Sequence, residues 1–198
     1  MKKMVSVLLT LVFSLGLCCA FAETPALPAY VYPYADEDPL TAAVANYLVN
    51  ADLGYTPEAG GVLIPAPIVL KTEMDEEETE ATVYGNFWIF AYKQNGKILE
   101  CTAGGENPGI MKLEKKDGAW TVVSLEVAEE GEDSFRESIR RFAGGDAELE
   151  QEYRVASDAQ DGYLPQFRRA FVLAYVNANA LDVEAYQDFG WDPVSVTN

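Results

Sequence analysis

The sequence predicts an α+β fold: an antiparallel meander sheet of about five strands, packed by one N-terminal helix and about three C-terminal helices. Three observations lead there. Residues 62–127 hold dense β-branched and aromatic runs, punctuated by the turn signals Asn95-Gly96 and Asp117-Gly118. The stretches on either side repeat apolar residues at helical spacing. Strands gathered in the middle and helices at the ends read as α+β, not as alternating α/β units.

The chain opens on an address. Lys2 and Lys3 precede an apolar run from Met4 to Leu17, and Ala20-Phe21-Ala22 fits the small-x-small rule of a secretory leader. Cleavage is expected between Ala22 and Glu23, releasing a secreted or extracytoplasmic bacterial protein. Cys18 and Cys19 raise a lipoprotein alternative, but Leu17 stands where a small residue is required. The run is also short of the roughly 20 residues that span a bilayer, so no stable membrane insertion is expected after cleavage.

Residues 23–38 read as a tether. Pro25, Pro28 and Pro33 favour extended backbone, and Tyr30, Tyr32 and Tyr34 between them can dock on the domain that follows, residues 39–198. Asp38-Pro39 starts a helix, with Asp as N-cap and Pro in the first turn. Leu40, Val44, Tyr47, Leu48 and Ala51 give it one apolar face. Val62–Thr72 is strand-like, but Pro65 and Pro67 confine it to an edge or a bulge. The acidic run 75–80 lacks the glycine and ligand alternation of a calcium loop, so a solvated hairpin loop is expected.

Thr82–Tyr92 is apolar on both faces and is therefore a central strand. Asn95-Gly96 predicts a type I′ turn into a return strand, Lys97–Thr102. Gly104–Gly109 reads as a loop, and Ile110–Lys115 with Ala119–Val127 as a second hairpin. Ser134 and Glu137 have capping-box spacing ahead of Phe135, Ile139 and Phe142, and Gly144-Gly145 ends that helix. Asp146 caps the next. Pro165 opens the longest, with Phe167, Ala170, Phe171, Ala174 and Ala178 in a stripe widened by Val172, Leu173 and Val176. Residues 181–198 form a mixed tail, ordered at least where Trp191 finds a surface.

Composition excludes several chemistries. The 198 residues contain no histidine, so no Ser-His-Asp triad, Cys-His pair or HExxH zinc site exists. The formal charge of −18 opposes binding to a nucleic-acid backbone. Cleavage would remove Lys2 and Lys3 from the fourteen basic residues, leaving 12 against 32 acidic ones and a net −20. It would also leave Cys101 alone, with no internal disulfide partner.

A set of features from Tyr84-Gly85 onward is familiar. It runs through the aromatic strand, Asn95-Gly96-Lys97-Ile98-Leu99-Glu100, Gly104-Gly105 with Pro108, and Ile110-Met111-Lys112-Leu113-Glu114-Lys115. Asp117-Gly118, Trp120, Ser134-Phe135 and Ile139-Arg140 complete it. In these, about a third of the chain resembles the C-terminal extracytoplasmic region of BlaR/MecR-like membrane antirepressor metallopeptidases. The resemblance implies an outside-facing sensory or accessory module. It carries over no catalytic residue, since both HExxH and the Ser-x-x-Lys of β-lactam chemistry are missing.

The candidate ligand-binding face is Tyr84, Asn86, Trp88, Phe90 and Tyr92, alternating aromatics with polar handles. It either lines a pocket for a small amphiphilic ligand or is covered by the long helix. The expected function is an exported, non-enzymatic binding or accessory module with no cofactor, no metal and no catalytic residue. Its partner would be a small molecule or, given the acidity, a cationic protein. Two alternatives stand beside it: a hydrolase using paired carboxylates, and a structural cell-envelope protein.

Overall fold

A computed structural model describes residues 26–197; the expected leader, with Cys18 and Cys19, lies outside the described residues. The order is α1 (Pro39–Asn50), β1 (Val62–Met74), β2 (Glu80–Asn95), β3 (Ile98–Gly105), β4 (Pro108–Lys116), β5 (Ala119–Val127), α2 (Glu132–Ala143), α3 (Ala147–Ala156), α4 (Leu164–Ala178), β6 (Ala185–Gln187) and β7 (Val194–Ser195). The class is α+β, with one helix before the sheet and three after its first five strands.

β2 is the axis of the sheet. β1 follows one edge of it, from Val62 opposite Tyr92 to Met74 opposite Ala81, and pairs with nothing else. β3 and β4 share the other edge. Ile89 faces Gly105 and Asn86 faces Pro108, so the register runs unbroken past Glu106 and Asn107. β5 pairs with the outer side of β4, β6 runs parallel to the outer side of β3, and β7 closes on β6.

This corrects the expected five-strand meander. The third and fourth strands are halves of one long return strand, and Gly104–Gly109 is not a loop but that strand with a two-residue interruption. One backbone bond remains there, from Phe87 N–H to the Asn107 carbonyl at 3.2 Å, and side chains supply the rest: Asn107 N–H donates to Asn86 Oδ1 at 3.2 Å, and Asn107 Nδ2 donates to the Phe87 carbonyl at 2.9 Å. The hairpin turn is corrected too. Its loop is Gly96-Lys97, and only Gly96 has positive φ (58°), the pattern of type II′. Asp117 (52°) and Gly118 (84°) show the I′ pattern instead.

β1 is an edge strand with a bulge at Leu70, between Val69 opposite Gly85 and Lys71 opposite Tyr84. A Cβ on Gly85 would run into the Ile68 carbonyl oxygen of that strand, a backbone atom that cannot step aside. Gly85→Ala is therefore expected to cost about 2–3 kcal/mol by overpacking, read as a lower urea midpoint at unchanged m-value.

Helices cover both faces of the sheet, which is why β2 is apolar on both. Val83, Phe87 and Ile89 pack with Met111, Leu113 and with Val44 and Leu48 of α1. Trp88, Phe90 and Tyr92 pack with Ile64, Ala66, Leu164, Val172 and Tyr175. Ile139 and Phe142 of α2 join Leu149 and Tyr153 of α3 in a third cluster. Asp38 and Asp146 cap α1 and α3 as expected. α2 begins two residues before Ser134, at an N-cap Gly131 without a side-chain bond, so the capping box is not formed. In α4 the buried residues are Leu164, Arg168, Val172, Ala174, Tyr175 and Val176, with Phe167, Phe171 and Leu173 partly buried against the same core, while Ala170 and Ala178 are exposed. The expected stripe is met except at Ala170 and Ala178, and the buried face also takes in Arg168 and Tyr175, which find polar partners inside.

The Pro/Tyr arm lies against α4. Tyr30 stacks on Tyr175 and Tyr32 on Phe171, with centroids 6.1 and 5.8 Å apart. Tyr175 donates its hydroxyl proton to the Pro28 carbonyl at 2.7 Å. Among the described residues no helix is long and apolar enough to cross a membrane.

Candidate functional site

The five residues singled out on β2 divide between surface and interior. Tyr84 is half-buried and donates its hydroxyl proton to Glu73 at 3.0 Å, with the Lys71 ammonium 5.7 Å from its ring. Asn86, Trp88, Phe90 and Tyr92 are buried beneath α3 and α4. Trp88 Nε1 donates to the Ala156 carbonyl at 3.0 Å, satisfying the last turn of α3. Tyr92 accepts from Arg168 Nε at 2.7 Å. The aromatic face thus meets two helices rather than solvent, and its polar handles are bonded to protein.

Asn86 links this face to a groove of about 950 Å³ between α2, α3 and the interrupted strand. Its side-chain N–H groups face Glu106 Oε2 at 2.7 Å, Ser157 Oγ at 3.0 Å and the Ala156 carbonyl at 3.2 Å. Glu106 and Ser157 both line the groove. The interruption at Glu106-Asn107 thus aims a carboxylate into the cavity, and a fully buried amide holds it there.

The groove has an apolar floor and a charged rim. Pro108, Ala128, Phe135 and Ile139 form the floor. The Arg136 and Arg154 guanidiniums of the rim pair with Glu132 and Glu150. Arg140 lies 4.0 Å from Glu150. Glu106, Glu129 and Glu130 have no cationic partner among the described residues. The loop that carries the last two is anchored where Ser138 Oγ accepts from Glu129 N–H at 3.1 Å. Every arginine of the rim therefore has a carboxylate beside it, and three carboxylates remain over.

The four carboxylates whose titration is shifted lie outside the groove. Glu73, Asp75 and Asp158 are held below their ordinary values mainly by hydrogen bonds they accept. Burial pushes Asp188 up, but the hydrogen bonds and charge of Arg168 outweigh it and hold Asp188 low as well. A general acid needs the opposite shift. Burial raises the Cys101 thiol to about 11, so it is protonated and inert at neutral pH. Among the described residues no group of three His, Cys, Asp or Glu side chains is placed to hold a metal ion.

Sequence reasoning reached Asn86 but not Glu106, Ser157 or the rim of α2 and α3. Those residues stand up to 71 positions apart in the chain, and no local pattern joins them. Comparison with protein-family models, with curated proteins and with solved structures finds no match for this chain.

Proposed function

We propose that this chain is an exported, non-enzymatic binding or accessory module, and that it takes a cationic amphiphilic segment of a partner in the groove between α2 and α3. The observation that carries the reading is the excess of carboxylates over an apolar floor: Glu106, Glu129 and Glu130 above Phe135 and Ile139. A lysine or arginine beside an apolar side chain satisfies both parts. The net charge of −18 draws such a partner in from a distance. The leader supports placement outside the cytoplasm, and the resemblance to outside-facing accessory regions supports a role without catalysis.

The test is fluorescence anisotropy with a short peptide alternating Lys and Phe, against one alternating Glu and Phe. The Lys peptide is expected to bind, more weakly as salt rises. Glu106→Gln is expected to weaken it roughly fivefold, the worth of one exposed charge pair, and the triple change with Glu129→Gln and Glu130→Gln to remove most of it. Equal binding of the Glu peptide, or indifference to all three changes, would overturn the reading.

A further inference from the structure

A second cavity lies on the same side of the sheet and shares no residue with the groove. It is a cleft of about 390 Å³ between the start of α4 and the β6–β7 connection. Leu164, Pro165, Tyr186, Trp191 and Val194 make its walls, and Arg168 also lines it.

Arg168 is only 6% exposed, so it forms the bottom of the cleft. The Phe90 and Tyr186 rings stand 3.8 and 4.7 Å from its Cζ and cover it. Nε donates to Tyr92 Oη at 2.7 Å, and each terminal nitrogen donates once to Asp188 at 2.6 Å. A guanidinium carries five N–H donors. Three of those on Arg168 are used in these bonds, one on each nitrogen, and each terminal nitrogen keeps a second N–H. A ligand oxygen in the cleft can accept from such an N–H.

The charges decide what kind of oxygen. Asp188 already neutralises Arg168, and Asp192 also lines the cleft. An anion would meet two carboxylates, and a cation would meet the guanidinium. A neutral acceptor on an apolar body meets neither obstacle. Trp191 is 60% exposed beside the opening and offers a flat surface for a ring.

We propose that this cleft binds a small neutral carbonyl compound with a planar apolar ring, its oxygen accepting from Arg168 and its ring resting against Trp191. The site is independent of the groove and of the partner proposed for it.

The experiment is an NMR titration of the chain lacking residues 1–22 with N-methylbenzamide, benzoate and benzylammonium, probes of nearly equal size. The Arg168 Nε–H and Trp191 indole N–H resonances are followed. N-methylbenzamide is expected to shift both saturably, and each charged probe to bind about tenfold more weakly, the worth of one mismatched charged hydrogen bond. Trp191→Ala is expected to weaken the amide about tenfold while leaving Tm nearly unchanged, since its side chain is mostly outside the core. Arg168→Lys adds a check where it folds, and the probe series with Trp191→Ala decides the matter where it does not. Equal binding of all three probes, shifts confined to Phe135 and Ile139 of the groove, or no saturable shift at either resonance would overturn the proposal. The last of these would mean that the cleft holds only water.

Discussion

Trp88→Ala is expected to lower the stability of the folded chain by about 3–5 kcal/mol, the usual range for a buried aromatic cut back to alanine. The indole lies between β1 and α3, 7% exposed, and stacks on Phe90 with centroids 5.8 Å apart and planes 5° from parallel. Its removal opens a cavity beneath two helices and takes one of the two donors from the Ala156 carbonyl; Asn86 remains as the other. In a chain of this length the loss corresponds to a fall in Tm of roughly 6–20 °C. Trp88→Phe keeps most of the volume and should cost only about 1–2 kcal/mol, for the lost hydrogen bond and a smaller void. Urea unfolding of both variants reads the difference. A loss for Trp88→Ala below about 1.5 kcal/mol, well under the range for a packed core aromatic, would mean that the face is not covered as described.

Asp188→Ala is expected to cost about 2–3 kcal/mol, below the range for a wholly buried pair because Asp188 itself is half exposed. The cost arises on the other partner. Arg168 stays buried with its charge uncompensated, and burial works against that charge while Tyr92 and Asp188 hold it in place. The double change Arg168→Met with Asp188→Ala should therefore be less destabilising than Asp188→Ala alone, since no buried charge is then stranded. Additive losses in a double-mutant cycle would refute this account of the pair.

The same pair sets a pH dependence. Asp188 is held below its ordinary value, so its contribution is complete above the usual aspartate range of about 4 and is lost as pH falls through its lower folded-state value. Acid release of the tail, followed by Tyr186 or Trp191 resonances, should thus begin only below that range. The component should vanish in Asp188→Ala.

How much of this was legible beforehand depended on range. The caps at Asp38 and Asp146, the Gly144 stop, the proline-blunted edge of β1 and the two-faced apolarity of β2 are each set by residues within a turn or a strand. The II′ turn was misplaced by one residue, because Asn95-Gly96 and Gly96-Lys97 are equally plausible loops until the register is known. Gly104–Gly109 looked like a loop because its composition is that of one. Its side-chain replacements for the ladder come from Asn86 and Asn107, on opposite strands. The pairing of β6 with β3 joins Leu99 to Tyr186 across nearly half the chain.

By itself, then, the sequence determined the four helices, the strand-forming stretches of residues 62–127 and the two-sided covering of the central strand, since hydrophobic period, capping and turn chemistry act over a few residues. The tertiary structure decided that Arg168 and Tyr175 join the buried face of α4, that two strands are one, that the tail adds β6 and β7, and where the cavities lie. Those outcomes rest on the desolvation of groups that must find partners far along the chain: Arg168 on Asp188 and Tyr92, Asn86 on Glu106 and Ser157. Such a balance is settled only when the distant partners are in place.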